Sequence, residues 1–202
     1  NRLNTIPLSV DKKLLGFAIS IEESRDERCI KTLRDLGITV FLLEVALGHL
    51  KIVVDAVRDL RLLVDSSVHI MVGNVSSYEA YQDLMDAGAD SVRVGIGGGS
   101  GCLTSANTGV HYPMASLINE CYQYKKDNGY DTKIVADGGF RNYDDIIKAL
   151  MLGADYVMLG SILNKALESA GETVDEEGEH VDQYRPSAES YLKAGGKLYK
   201  TF

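Results

Sequence analysis

One ten-residue stretch carries most of the chemistry legible in this chain: Gly95-Ile96-Gly97-Gly98-Gly99-Ser100-Gly101-Cys102-Leu103-Thr104. Repeated glycines leave backbone N–H groups bare, reach positive φ at little cost, and let a phosphate or a cation approach the main chain closely. A cysteine in such a loop can be exposed and stabilised as its thiolate, the reactive form. The stretch lacks the Gly-Lys-Ser/Thr of a phosphate-binding P-loop. It is not a dinucleotide fingerprint either, since a loop rather than a helix is expected next. The competing reading is a flexible glycine hinge with a bystander cysteine.

Other residues at expected strand ends add to it. Asp137-Gly138-Gly139 offers a carboxylate with two acceptor oxygens, suited to a pair of ribose hydroxyls. Gly160-Ser161 and the Gly138-Gly139 turn lie at the last two strand ends, where barrel enzymes commonly hold a phosphate. Asn74 after Gly73, and Glu44 after Leu43, can face a ligand from two further ends. Each of these alone is also ordinary turn or capping chemistry. Several glycine-rich ends on one rim favour a nucleotide site. His49, His69, His111 and His180 are dispersed, and no His-x-x-x-His pair or carboxylate cluster suggests a metal centre. Cys29 and Cys121 fall on expected helices and read as packing residues.

The elements that must position these residues alternate. Strands are expected at 14–19, 40–43, 69–72, 91–94, 133–136 and 156–159. Helices with apolar residues at helical spacing are expected at 26–36, 53–60, 78–87, 114–128 and 143–152. Three helix-to-strand joints share one form: Gly37-Ile38-Thr39-Val40, Gly88-Ala89-Asp90-Ser91-Val92 and Gly153-Ala154-Asp155-Tyr156-Val157. Glycine takes the helix C-cap and a strand follows. Recurrent βα units imply parallel strands with helical crossovers, either as an open doubly wound sheet or as a closed (β/α)8 barrel. About six units are counted where a barrel needs eight, so two are expected before Asn1. From 168 the pattern fails, and 168–202 reads as a mobile flap.

Composition sets the frame. The chain has 202 residues, 45% hydrophobic and 25% charged, with net charge −8. The acidic balance argues against nucleic-acid or anionic-membrane binding, while a single phosphate can still be held by backbone N–H groups. No apolar run nears the ~20 residues of a membrane span. Three unpaired-looking cysteines imply a reducing, cytoplasmic setting.

Taken with Thr108-Gly109-Val110, Ala136-Asp137-Gly138-Gly139 and Val157-Met158-Leu159-Gly160-Ser161, the Gly95–Thr104 loop resembles that of the inosine-monophosphate dehydrogenase / guanosine-monophosphate reductase family. The similarity runs from Leu14 to about Glu172. It implies a TIM (β/α)8 barrel over 1–202, incomplete at both ends. Cys102 matches the nucleophile that adds to purine carbon 2. Thr104 matches the threonine that helps activate water or handle the leaving group. Ser100, Gly139, Gly160 and Ser161 match phosphate-binding positions, Asp137 the ribose-binding aspartate, and Arg93 a substrate-pocket position. Glu44, Asn74, Gly95 and Gly97 fall on the cofactor side. Carbonyls of Gly97, Gly99 and Cys102 match those binding a monovalent cation, usually potassium. The resemblance further implies NAD (NADP for a reductase), a purine nucleoside monophosphate and a homotetramer.

The chain departs from the family pattern at Gly98, Gly101 and Leu103, which implies a more flexible loop, and Glu44 replaces an aspartate. Pro7–Leu15 and Gly160-Ser161 favour oxidation of IMP to XMP. Lys197–Phe202 looks more like the reductase, which converts GMP to IMP and ammonia. A non-catalytic purine-nucleotide-binding barrel is the reading from outside the enzyme class.

Overall fold

The computed structural model describes residues 15–99, 102–163, 172–174 and 199–201. Six parallel strands form one sheet: β1 (Gly16–Ile19), β2 (Val40–Glu44), β3 (His69–Val75), β4 (Ser91–Val94), β5 (Lys133–Asp137) and β6 (Tyr156–Met158). Between them run α1 (Glu27–Asp35), α2 (Lys51–Leu63), α3 (Tyr78–Asp86), a short α4 (Thr104–Thr108), α5 (Met114–Asn128) and α6 (Tyr143–Met151). Each strand pairs with the one before it, in the order β1-β2-β3-β4-β5-β6. A doubly wound sheet reverses its strand order at a switch point, and a barrel does not. The order therefore decides between the two architectures: this is a six-strand portion of a TIM barrel.

The period-two alternation of a strand sorts side chains into two layers. Phe41, Leu43, Ile70, Val72, Val92, Val94, Ile134 and Ala136 face the helices. All are fully buried, against residues such as Val57, Leu60, Leu84 and Leu117. The opposite face carries polar groups: His69 bonded to Ser91 Oγ at 2.8 Å near the strand starts, and Glu44, Arg93 and Asp137 near the strand ends.

The glycine joints explain the regular repeat. Gly37, Gly88 and Gly153 all have positive φ. In two of the joints the following aspartate reaches sideways to the preceding strand. Asp90 accepts the Ile70 N–H at 2.7 Å and pairs with Arg61; Asp155 accepts the Ile134 N–H at 2.8 Å and pairs with Lys125 at 2.8 Å. Gly153, at φ 112, also lies against Tyr122, whose ring carbon Cγ would be 2.2 Å from a Cβ there. Gly153→Ala is therefore expected to destabilise the fold by about 2 kcal/mol or more, from backbone strain and displacement of the ring. Chemical denaturation of the variant beside the parent measures it; an unchanged midpoint refutes this packing.

Several expectations need correction. β3 runs on to Val75, so Asn74 lies inside the strand and not beyond its end; the β3–β4 register shifts between Gly73 and Val75, and that bulge re-aims the chain there. β2 and β5 likewise include Glu44 and Asp137. A helix, α4, follows Cys102 where a loop was expected. It is five residues long, without an apolar stripe, and Gly109 ends it at φ 71. Within the expected flap, β7 (Glu172–Val174) pairs antiparallel with β8 (Tyr199–Thr201). Three-residue strands are too short to show alternation. The remainder of 168–202, and Ser100, lie outside the described residues.

Candidate active site

Parallel strands deliver their C-terminal ends to one rim, and four of those ends meet around a cavity of about 300 Å³. Glu44, Asn74, Arg93 and Asp137 form its polar side; Gly95, Ile96, Cys102 and Thr104 come from the glycine loop. This size lies at the small end of ligand pockets. Gly139, Gly160 and Ser161 sit on the same rim at the ends of β5 and β6 but do not line this cavity.

Arg93 organises the polar side. Its side chain is 8% exposed and lies between two carboxylates, with Nη2 2.7 Å from Asp137 Oδ2 and Nη1 3.3 Å from Glu44 Oε1. Among the described residues, its Nε and Nη1 make no hydrogen bond. Asp137 Oδ2 also accepts from Asn74 Nδ2 at 2.7 Å, and Asn74 donates in addition to the Gly95 carbonyl at 2.8 Å. One Asp137 oxygen is thus committed to Arg93 and Asn74.

Cys102 is half-buried. Its thiol is held below the ordinary cysteine range, first by the Thr104 hydroxyl, then by the N–H groups of Thr104, Gly97 and Ser105. Cys29 and Cys121 are shifted the other way, chiefly by burial, with Cys121 pushed up to about 12. The thiolate is the attacking species, so these environments set Cys102 apart. The Cys102 N–H donates to the Gly99 carbonyl at 3.1 Å, closing the loop on itself. Gly98 and Gly138 meet backbone to backbone: a Cβ on Gly98 would lie 3.1 Å from the Gly138 carbonyl. That contact ties the cysteine loop to the Asp137-Gly138-Gly139 turn.

The expected cation would use three carbonyls, of which Gly99 already accepts one N–H. Three neutral oxygens are about half of what a hard cation takes. Among the described residues no three His, Cys, Asp or Glu side chains converge as a metal site. None of the described helices is long and apolar enough to cross a membrane.

His111 was not singled out by sequence reasoning. It is exposed, yet its Nδ1 lies 2.9 Å from the carbonyl of Ile96 in the cysteine loop. Its adjacency to Thr108-Gly109-Val110 was the available signal.

Over residues 7–197 the sequence matches the family model described as the IMP dehydrogenase / GMP reductase domain. The chain belongs to this family. A GMP reductase of Leishmania major is 35% identical over 187 residues, 92% of this chain and 37% of the relative. An inosine-5'-monophosphate dehydrogenase of Chlorobaculum parvum is 40% identical over 171 residues, 85% of this chain and 34% of the relative. The crystal structure of a cysteine-to-alanine variant of Trypanosoma brucei GMP reductase, in complex with guanosine 5'-monophosphate, superposes with a TM-score of 0.72. It is 34% identical, with 83% of this chain and 34% of that one covered. The chain spans about a third of the length of the curated relatives it matches. These IMP dehydrogenase and GMP reductase relatives are oxidoreductases, and their names divide between the two activities.

Proposed function

We propose that the protein is a purine-nucleotide oxidoreductase of the IMP dehydrogenase type, oxidising IMP to XMP through a covalent Cys102 adduct. The observation that carries the reading is the convergence of Cys102, with its lowered thiol pKa, and Asp137 on one cavity. The Cys102 sulfur adds to the electron-poor carbon 2 of the base, and the proton it has lost stays with solvent. Asp137 accepts from the ribose hydroxyls through its outward oxygen. Ser100, Gly139, Gly160 and Ser161 hold the phosphate, largely through N–H groups on the rim. Once carbon 2 has lost its hydride, water attacks it and the carbon–sulfur bond breaks, with Thr104 handling the proton. Nicotinamide dinucleotide, when bound, supplies the hydride acceptor.

Glu44 borders the cavity from its β1 side, beside the open edge of the sheet. Glu44, Asn74, Gly95 and Gly97 are the positions proposed to meet the cofactor, with Arg93 reaching both sides. Glu44→Ala is expected to weaken dinucleotide binding about tenfold, by loss of a charged hydrogen-bond acceptor, while nucleoside-monophosphate affinity stays within about twofold. Fluorescence titration with each ligand decides it. The reverse pattern puts Glu44 on the substrate side. A monovalent cation on the Gly97, Gly99 and Cys102 carbonyls, a homotetrameric assembly and a cytoplasmic location complete the proposal.

The GMP reductase neighbour and the Lys197–Phe202 segment support a second reading, in which ammonia leaves carbon 2 of GMP and NADPH supplies the hydride. The test is to give the intact protein IMP with NAD⁺, and separately GMP with NADPH, and follow nicotinamide absorbance. NADH formation is the expected result. NADPH consumption with ammonia release selects the reductase. Silence in both despite tight nucleotide binding selects the non-catalytic barrel.

A further inference from the structure

The last turn of α5 closes with two backbone hydrogen bonds. The Tyr130 N–H donates to the Lys125 carbonyl at 3.0 Å and the Gly129 N–H to the Lys126 carbonyl at 3.3 Å, with Gly129 left-handed at φ 70. This is the Schellman arrangement, and the apolar contact that accompanies it is present. The Tyr130 ring stacks on Tyr124 of α5, with centroids 6.0 Å apart and planes 24° from parallel. Asn128, the final helical residue, is exposed, and its Nδ2 donates to the Tyr124 carbonyl at 2.9 Å. Asn128-Gly129 is the single Asn-Gly step in the sequence. Gly129 is exposed and has open space where a Cβ would stand, so no side chain hinders approach of its nitrogen to the Asn128 amide carbon.

We infer that Asn128 is a site of spontaneous deamidation, and that the cap of α5 sets its rate. The Gly129 nitrogen gives its proton to solvent and attacks Asn128 Cγ. The bond from Cγ to Nδ2 breaks, and that nitrogen leaves as ammonia, giving a five-membered succinimide. Water then opens the ring at one of its two carbonyls, leaving aspartate or isoaspartate. The attacking nitrogen is the one whose N–H donates to Lys126, so ring closure and an intact cap exclude each other. Helix ends fray, and the open cap is the reactive form. The product does not restore the cap. Nδ2 and its bond to the Tyr124 carbonyl are gone. The new carboxylate stands beside exposed Asp127, at the helix end where the dipole disfavours negative charge. In isoaspartate the main chain also runs through the side-chain carbon. That extra backbone atom takes the Tyr130 N–H out of register with the Lys125 carbonyl. The site lies on the helical layer and is independent of the proposed oxidoreductase activity.

The experiment holds the intact protein at mildly alkaline pH for several weeks and follows each asparagine by peptide mass spectrometry. Isoaspartate is separated from aspartate by retention time and fragmentation. Asn107, also exposed but followed by Thr108, is the internal reference. Asn128 is expected to convert, with isoaspartate in excess, while Asn107 stays intact. The parent unfolded in urea should convert Asn128 several-fold faster than the folded parent, because no cap then holds the Gly129 nitrogen. Tyr130→Ala removes the ring that stacks on Tyr124 and should speed conversion in the folded protein about fivefold, the worth of one aromatic pair. Tyr130→Phe keeps the ring and should stay within about twofold of the parent. The comparison of folded with unfolded parent needs no variant, so it decides even where Tyr130→Ala fails to fold. Conversion of Asn128 no faster than that of Asn107, equal rates in the folded and unfolded parent, or a folded Tyr130→Ala at the parent's rate overturns the inference.

Discussion

Cys102→Ala in the intact protein removes turnover by about a thousandfold or more, while nucleotide binding stays measurable. The magnitude follows from the chemistry: without the sulfur there is no covalent adduct at carbon 2, and loss of a nucleophile in a covalent mechanism commonly costs several orders of magnitude. Binding survives because the polar side of the cavity is built without the cysteine. Arg93, Asp137 and Asn74 bond to one another across β4, β5 and β3. The environment of the thiol adds a second expectation. The Thr104 hydroxyl and three backbone N–H groups lower the pKa of Cys102, while burial, Glu23 and Asp26 raise that of Cys29. As pH rises, Cys102 therefore ionises first, and near neutral pH it should alkylate ahead of Cys29. Steady-state rates, together with intact mass of the trapped adduct, measure the main effect. A variant retaining more than a few per cent of turnover removes Cys102 from the nucleophile's role.

The site's parts were more legible in the sequence than its connections. Glycine at a helix C-cap followed by a short apolar run is a local signal, and Gly37, Gly88 and Gly153 placed three strand starts by it. The apolar runs of β3 and β5 completed the series, and the ends of β2, β3, β4 and β5 placed Glu44, Asn74, Cys102 and Asp137 on one rim. The ion chain Glu44–Arg93–Asp137 was not legible, because it joins three strands whose facing residues are set by register. The family resemblance placed Arg93 at a substrate-pocket position, but only the parallel pairing brings Glu44 and Asp137 to its two sides. The bulge at Gly73-Asn74 has no local signature either. The β7–β8 pairing joins segments 25 residues apart, measured from Val174 to Tyr199, with no periodic pattern to align them.

Asp137→Ala is expected to weaken both the ligand complex and the protein. In the folded chain Asp137 Oδ2 accepts from Arg93 and from Asn74, each at 2.7 Å, and the carboxylate is 19% exposed. Alanine leaves a guanidinium that is 8% exposed with Glu44 as its remaining carboxylate, at 3.3 Å and itself 58% exposed. Breaking a buried pair by deleting one partner costs about 3–5 kcal/mol, and the residual Glu44 contact places this case near the lower figure. The ligand effect is separate: a ribose hydroxyl pair loses a charged acceptor worth about 1.5–3 kcal/mol, so nucleoside-monophosphate affinity falls about tenfold or more. Asp137→Asn divides the two contributions. One amide oxygen can still accept from Arg93 and Asn74, so stability recovers in part, while the group facing the cavity becomes an N–H₂ donor and affinity does not recover. Denaturant unfolding and nucleotide titration of both variants test this. Unchanged affinity in Asp137→Ala takes Asp137 out of the binding site. Unchanged stability in the same variant means that the Arg93 charge is compensated elsewhere and that the buried ion chain does not organise the rim.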